Sequence, residues 1–143
     1  MKTKLKFLSL FLILAIAFVG CKPDDPDDGN GLPAPDARLN YQGIWKCSEI
    51  GGQSYNVNIS LDTTTESQIK LYNFHHQGFD EKVNALVAGT SLTIYPQKMC
   101  QETIDVEGTA TLQSNKTTMS FYYIVNDGID LDTVRATYTK QSL

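Results

Sequence analysis

The sequence predicts an all-β protein, a single up-and-down antiparallel meander barrel of about eight strands. Beyond Tyr41, apolar residues recur with period two, which is typical of strands that have one buried face. The runs are short and are separated by turn-forming Gly, Asn-Asp-Gly and Ser-Asn, and no long helical stripe interrupts them. The roughly 100 residues involved suffice for one domain. Closure into a barrel removes the exposed edges that such a sheet otherwise carries.

The N-terminal segment is predicted to be a targeting signal that is removed before folding. Three lysines precede an apolar run over residues 7–19, which is short for a membrane span and typical of a signal peptide. Gly20 and Cys21 resemble the end of a bacterial lipobox, although Phe18 stands where that motif usually has Leu. The resemblance implies a signal peptide over residues 1–20 and an acylated Cys21 at the start of the mature chain. The alternative is an ordinary secretory signal cut elsewhere, which leaves Cys21 as a spare thiol.

Residues 21–39 are predicted to form an extended, acidic tether. Four of the five prolines and five aspartates fall in this stretch, so it buries little and stays solvated. An acidic run so close to the cysteine resembles the surface-export signals of Bacteroidota lipoproteins. We therefore expect a lipid anchor in the outer membrane, on its periplasmic face or, as this resemblance favours, at the cell surface.

The charge balance disfavours several classes of partner. The chain has 12 basic and 16 acidic residues, and removal of the signal takes three of the lysines with it. An acidic protein without a basic cluster is unsuited to nucleic acid, or to anionic lipid beyond its own anchor. We expect a monomer that attaches to the membrane only through its lipid and needs no cofactor.

Nine short apolar runs account for the expected strands of a domain over residues 40–143. Pro96 is expected to end the fifth run, because proline cannot donate to a neighbouring strand. Gly108 separates the sixth and seventh runs and is expected at a bulge where one bent strand changes direction. Gly89 and Thr90 predict a tight turn. The runs are residues 44–50, 54–61, 68–74, 82–87, 91–95, 104–106, 110–112, 119–125 and 134–138.

Residues 41–45, Tyr-Gln-Gly-Ile-Trp, resemble the Gly-x-Trp opening of lipocalin-like barrels. In that family the tryptophan plugs the closed end of the barrel, and a basic residue of the last strand packs across its ring. The resemblance implies a small lipocalin-like lipoprotein domain, with Gly43 and Trp45 at the closed end and Arg135 as the cation. Lys140 is the alternative cation, since by period two Arg135 faces away from its inward neighbours.

The cysteine count predicts a disulfide. The chain has three cysteines, and if Cys21 carries lipid, Cys47 and Cys100 remain as a pair in an oxidising exterior. A Cys47–Cys100 disulfide is therefore expected. The alternative is two buried thiols that act as small hydrophobic side chains.

No catalytic or metal-binding pattern stands out. His75 and His76 are the only histidines, and neighbours on a strand point to opposite faces, so a surface hairpin end explains them better than a metal site. Carboxylate clusters at residues 80–81, 102–107 and 127–132 are better explained as solvated loop faces; the last lacks the order and the terminal Glu of a calcium loop. No Gly-rich phosphate loop is present. We expect no enzymatic activity.

Two tripeptides resemble the Asp-Ser/Thr-x acceptor of O-glycosylation in Bacteroidota. They are Asp62-Thr63-Thr64 and Asp132-Thr133-Val134, with Thr63 and Thr133 as the residues that would be modified. Both fall at expected strand ends or loops, where an enzyme can reach them.

Two functions of different class follow from this sequence. The first is a binding lipoprotein whose loops, residues 48–55 and 96–103, engage a protein partner, for example as an inhibitor of secreted proteases. The second is a carrier of a small hydrophobic ligand, which the lipocalin-like resemblance implies, with Tyr55, Phe121 and Tyr123 as possible lining. A small barrel filled by its own side chains has no such cavity. The protein partner ranks first because the tether presents the domain outward.

Overall fold

Eight antiparallel strands, each paired with its neighbours in sequence and the last paired with the first, close into a barrel. This computed structural model describes residues 34–142, so the expected signal peptide, Cys21 and most of the tether lie outside the described residues. The all-β meander barrel is confirmed. The strands are β1 (Gly43–Glu49), β2 (Ser54–Leu61), β3 (Gln68–Tyr72), β4 (Lys82–Ala88), β5 (Ser91–Met99), β6 (Ile104–Leu112), β7 (Thr118–Asn126) and β8 (Leu131–Lys140).

Strict alternation of side chains builds the core. Most inward positions of the strands carry apolar residues and most outward positions carry polar ones, as the pleat of a strand allows. At ~1.5–3 kcal/mol for each fully buried large side chain, this filled interior is the main source of stability. The largest fully buried side chains are Trp45, Tyr41, Tyr123, Tyr138, Phe74, Ile59, Ile69, Leu71, Leu92, Ile94, Met119 and Val57.

Strand β5 continues through Pro96, so the expectation that this proline ends the strand is wrong. The register between β5 and β6 slips between Ile94 and Gln97, where two residues of β5 oppose one residue of β6. Pro96 sits in this bulge, where no ladder donor is required of it. Gly108 lies opposite Ile94 on the partner strand, and the two runs that flank it form one continuous strand.

A side chain completes the wall between β4 and β5. The backbones of these strands pair only over Leu86–Ala88 and Ser91–Thr93, next to their tight turn. Further along, Gln97 Oε1 accepts from the Asn84 amide at 2.9 Å and Gln97 Nε2 donates to the Asn84 carbonyl at 2.7 Å. The side-chain amide therefore supplies the two hydrogen bonds that a ladder partner would otherwise supply.

We call the end of the barrel where β1 begins the closed end. Trp45 is fully buried there, and its Nε1 donates to the Tyr41 carbonyl at 2.7 Å. Lys140 Nζ lies 5.4 Å from the centroid of the Trp45 ring and donates to the Asn40 carbonyl at 2.9 Å. A Cβ on Gly43, whose φ is +128°, would lie 3.3 Å from Lys140 Cε, so the glycine leaves room for this lysine.

Arg135 does not contact Trp45, which corrects the expected barrel-closure set. It faces outward on β8, with its guanidinium carbon 5.8 Å from the centroid of the Tyr122 ring. The physical reason is that successive side chains of a strand point to opposite faces. Ala136 and Tyr138 point inward, so Lys140, two residues further on, lies on their face of β8, and Arg135 lies on the other.

The last residues of the expected tether, from Pro35 onward, belong to the same compact unit as the barrel. A 3₁₀ turn over Ala37–Asn40 packs on the closed end. Arg38 Nη1 donates to three carbonyl oxygens around the β2–β3 turn, at 3.0–3.3 Å, and the Arg38 side chain also pairs with the carboxylate of Asp36. These bonds attach the last part of the expected tether to the barrel. Among the described residues, no helix has the length and apolar character needed to cross a bilayer.

The β2–β3 turn is organised by Asp62. Its Oδ1 accepts from the Thr64 amide at 2.8 Å, the Thr64 hydroxyl at 2.7 Å and Lys70 Nζ at 3.1 Å. The hydrogen bonds from Thr64, together with Lys70, lower the pKa of Asp62 to about 2. The charged carboxylate is thus part of the native turn.

We expect Gly108→Ala to destabilise the barrel strongly. A Cβ at this position would lie 2.5 Å from Tyr123 Cβ and 2.7 Å from the Tyr122 carbonyl oxygen, and neither atom can move without shifting β7. Overpacking of this kind costs ~1–3 kcal/mol or more. Urea denaturation measures the loss, and Thr109→Ala on the outer wall is the control, with an expected change within about 0.5 kcal/mol. Equal stability of both variants would contradict the close approach.

Acid should destabilise the wild type more than Asp62→Asn. Because the pKa of Asp62 is lowered on folding, its contribution is complete above the ordinary value of 3.8 and is lost as the pH falls toward about 2. The free energy of unfolding, measured in urea at several pH values from 5 to about 2, should therefore fall more steeply in the wild type. Parallel curves for the two proteins would show that the carboxylate is not held in the native turn.

Candidate functional site

We call the opposite end of the barrel the loop end. Four connections meet there, over residues 50–53, 73–81, 100–103 and 127–130. Both segments expected to engage a partner, residues 48–55 and 96–103, reach this end, so the structure brings them to one side of the molecule. Loops held by a rigid barrel are the usual location of binding residues.

The longest of these connections folds back into the barrel and plugs it. Asn73 adopts the left-handed conformation, with φ of 61°, which asparagine tolerates well. Its Nδ2 donates to the Asn56 carbonyl at 2.7 Å and its Oδ1 accepts from the Gly78 amide at 2.8 Å. Phe74 follows and is 1% exposed, with its ring centroid 4.7 Å from that of Tyr123. The loop end is therefore closed by Phe74 as the other end is closed by a tryptophan.

A buried carboxylate lies beside this plug. Glu49 Oε1 accepts from the hydroxyls of Tyr55 and Tyr123, each at 2.6 Å, and lies 3.4 Å from His75 Nδ1. The Glu49 side chain is only 10% exposed. We refer to Glu49, Tyr55, Tyr123 and His75 as the Glu49 cluster. It joins β1, β2 and β7 to the β3–β4 connection.

The ionisation of the Glu49 cluster follows from these contacts. Burial by itself raises the pKa of Glu49, but hydrogen bonds from Tyr123 and Tyr55 and the nearby His75 outweigh it, so the pKa is lowered overall. Burial raises the pKa of Tyr55 and of Tyr123. At neutral pH the carboxylate is therefore charged, and both tyrosines keep the protons that they donate to it.

A cavity of about 170 Å³ opens next to the Glu49 cluster. The rings of Tyr55 and His76 stack along it, with centroids 5.4 Å apart and planes 18° from parallel. Polar and aromatic groups thus converge on one concave site at the loop end. The cavity is lined by Glu49, Gln53, Tyr55, His75, His76 and Gln77.

The two histidines lie on the same side, which strand geometry did not suggest. They belong to the 3₁₀ turn Phe74–His76, and both have positive φ, 49° for His75 and 58° for His76, so neighbouring side chains need not diverge. Both line the cavity, with His75 partly buried and His76 exposed. No group of three or more His, Cys, Asp or Glu side chains in residues 34–142 is arranged to hold a metal ion.

The three residues expected to line a ligand cavity have different positions. Tyr55 lines the cavity at the loop end. Tyr123 lies beneath Phe74, and Phe121 packs edge-on against Tyr138, with ring centroids 4.3 Å apart. Phe121 and Tyr123 are therefore part of the packed interior.

Cys47 and Cys100 are free thiols, so the predicted disulfide is wrong. Cys47 points into the interior from β1 and is fully buried. Cys100 starts the β5–β6 connection, where its Sγ donates to Gln77 Oε1 at 3.3 Å and its amide donates to Glu81 Oε2 at 2.9 Å. A count of cysteines cannot show that one faces the core and the other a loop. Burial raises the pKa of Cys47, and burial together with Glu81 raises that of Cys100, which keeps both as thiols.

Both expected glycosylation threonines are accessible. Thr63 is exposed in the β2–β3 turn and Thr133 is exposed on β8. The aspartate that precedes Thr63 is Asp62, whose carboxylate is occupied by Thr64 and Lys70. Modification at these two positions stays a prediction.

Sequence reasoning missed three exposed apolar side chains at the loop end. Ile50 is 78% exposed, Phe79 is 58% exposed and Ile129 is 89% exposed, each in a different connection. The signal was in the sequence, since each is adjacent to a glycine of a turn. An apolar residue inside a turn serves no core and therefore indicates a contact surface.

Thiol labelling should separate the two cysteines by their burial. In native protein, Cys100 should react slowly with iodoacetamide, and Cys47 should react only after denaturation, because it is fully buried. Peptide mass spectrometry locates the label. Failure of both residues to react in denaturant without reductant, and reaction after reduction, would show that they form a disulfide.

Comparison with known proteins yields little. No family model matches this chain, and no curated protein matches it. Among solved structures, the chain is similar to a redesigned β-barrel with 16% sequence identity and a TM-score of 0.49. The match covers 75% of this chain and 96% of that one.

Proposed function

We propose that this chain is a non-enzymatic, lipid-anchored binding protein that engages a protein partner through its loop end. The observation that carries this proposal is the set of exposed apolar side chains Ile50, Phe79 and Ile129, one in each of three loop-end connections. Large apolar side chains at loop tips serve as anchors in the central part of protein interfaces. Leu131, at the start of β8, is also exposed, by 68%.

The two ends of the barrel differ in this respect. The turns at the closed end cover residues 62–67, 89–90 and 113–117, and they contain only Gly, Ser, Thr, Asn, Gln and charged residues. Among the turns that join strands, exposed apolar tips thus occur at one end; at the closed end the exposed apolar side chain is Leu39, in the 3₁₀ turn before β1. This contrast supports the loop end as the contact surface.

The point at which the chain enters the barrel also favours the loop end. The folded unit starts at Pro35, and the 3₁₀ turn that follows packs on the closed end. An anchor on Cys21 would therefore be joined to the barrel at the end opposite the loops.

The loops are held in place by their own hydrogen bonds. Glu81 and Gln77 tie the β3–β4 connection to Cys100 of the β5–β6 connection. In the β7–β8 connection, Asp127 Oδ1 accepts from the amides of Ile129 and Asp130 at 2.9 and 2.8 Å. A surface ordered before binding loses less conformational entropy in the complex. Preorganised loops of this kind are typical of protease inhibitors, which makes a secreted protease the first partner class to test.

The carrier of a small hydrophobic ligand is the weaker alternative. Trp45 and Phe74 plug the two ends, and side chains fill the space between them. A depression of about 340 Å³ lies on the outer wall, beside residues such as Tyr122 and Arg135. The cavity at the loop end measures about 170 Å³, below the ~300–1,000 Å³ that drug-sized ligands occupy.

Replacement of the loop tips should abolish partner capture. The mature lipoprotein, immobilised in detergent, is used to capture proteins from culture supernatant, and the captured protein is then titrated against the variants. Ile50→Ser, Phe79→Ser and Ile129→Ser combined should weaken binding by about tenfold or more, because anchors of this type carry most of the binding energy. The matched control changes exposed apolar residues of the outer wall, Ile44→Ser with Tyr95→Ser, and should bind as the wild type.

Two outcomes would contradict the proposal. Equal binding by the loop-tip variant and the wild type would show that the loop end is not the contact surface. Capture of no protein by the wild type, together with saturable fatty-acid binding by the same preparation, would favour the carrier.

A further inference from the structure

The Glu49 carboxylate has no full cationic partner within the described part of the chain. Of the ion pairs there, Asp36, Asp62 and Asp105 each face an arginine or a lysine, whereas Glu49 faces only His75. A carboxylate that is 10% exposed loses much of its hydration, and this loss is costly unless a cation or several donors offset it. Two tyrosines offset part of the cost, and a cation would offset more.

The two oxygens of Glu49 differ in what they accept. Oε1 accepts both short tyrosine hydrogen bonds. Oε2 has one protein donor, the Gln53 amide at 3.4 Å, which is longer than a good N–H···O bond of ~2.7–3.2 Å. Gln53 and Glu49 both line the cavity, so Oε2 retains capacity for a donor that enters it.

The walls of the cavity suit a cationic head group. Tyr55 and His76 stack to form one aromatic side, and aromatic faces attract ammonium and guanidinium groups. With a volume of about 170 Å³ the cavity fits a single side chain rather than a whole small molecule.

The charge around the cavity has the sign that attracts a cation. Two basic residues lie at strand ends here, Lys82 at the start of β4 and Lys98 near the end of β5, where Lys98 pairs with Asp105. Six further acidic residues on the loop-end connections and strand ends outnumber these lysines, and such a field steers a basic partner toward the site. These acidic residues are Asp80, Glu81, Glu102, Asp127, Asp130 and Asp132.

We infer that the cavity beside Glu49 receives one lysine or arginine side chain of the protein partner, and that Glu49 Oε2 accepts the hydrogen bond from its cationic head. The source of the side chain rests on the proposed function, whereas the affinity of the cavity for a cation rests on the geometry of the Glu49 cluster. Arginine fits best, since its planar guanidinium can bond the carboxylate and stack on an aromatic ring at once.

Capped amino acids test the cavity without the partner. The mature lipoprotein, isotope-labelled in detergent, is titrated with N-acetyl-arginine-methylamide, and the NMR signals of Gln53, His75 and His76 are followed. Saturable shifts are expected. N-acetyl-citrulline-methylamide has nearly the same shape without the charge and should give none. Equal shifts with both probes would overturn the inference.

Variants assign the binding to Glu49. Glu49→Gln keeps the size of the side chain and removes its charge, and it should weaken binding of the arginine probe by about tenfold or more. The matched control is Glu66→Gln, the same change in the exposed β2–β3 turn, with no effect expected. His76→Ala, an exposed position, should also weaken the probe, and it keeps the inference testable if Glu49→Gln does not fold. Unchanged affinity in both cavity variants would overturn the inference.

Partner binding separates this inference from the proposed function. If Glu49→Gln binds the captured protein as tightly as the wild type, while the loop-tip variant does not, the inference is wrong and the proposed function stands. A different result is that no protein is captured while the arginine probe binds through Glu49. The statement that a protein partner supplies the cation is then wrong, and the cation site stands. Loss of both probe and partner in Glu49→Gln supports the two together.

Discussion

The width of an eight-stranded barrel is the constraint on which the rest of this structure depends. Such an interior is just wide enough for inward-pointing side chains to fill it, and the alternation along every strand supplies those side chains. Trp45 and Phe74 then close the two ends. Side chains that could bind a ligand therefore lie at the two rims of the barrel, where the connections are, and not in its middle. The Glu49 cluster belongs to the rim that carries the longer and more apolar connections.

Much of the fold was predictable, because period two is a local property. The runs at residues 54–61, 82–87 and 119–125 correspond closely to β2, β4 and β7. Pro96 was misjudged because a bulge depends on the partner strand, which a local pattern does not show. The lipocalin-like resemblance suggested Arg135, but parity along β8 favours Lys140. The cysteine count predicted a disulfide because it carries no information about the direction in which a side chain points.

The candidate site was less predictable for a related reason. Glu49, Tyr55 and Tyr123 come from three strands, and only the closed barrel brings their side chains together. His75 and His76 share a cavity because the chain leaves strand geometry after Tyr72 and enters the left-handed region at Asn73. Asn73 and Gly78, on either side of Phe74 and the two histidines, were the local hints of this turn. Its contacts with Asn56 and Gly78 depend on the tertiary fold.

The ladder between β1 and β8 has a consequence for the folding of the chain. It joins Trp45 to Lys140, the first strand to the last, so the barrel closes only when the whole domain has been made. Contacts this distant in sequence make closure late and slow compared with the formation of the neighbouring hairpins. Until then both edges of the sheet are unpaired, and the chain stays open to chaperones. A stable barrel therefore cannot form before β8, the strand Leu131–Lys140, has been made.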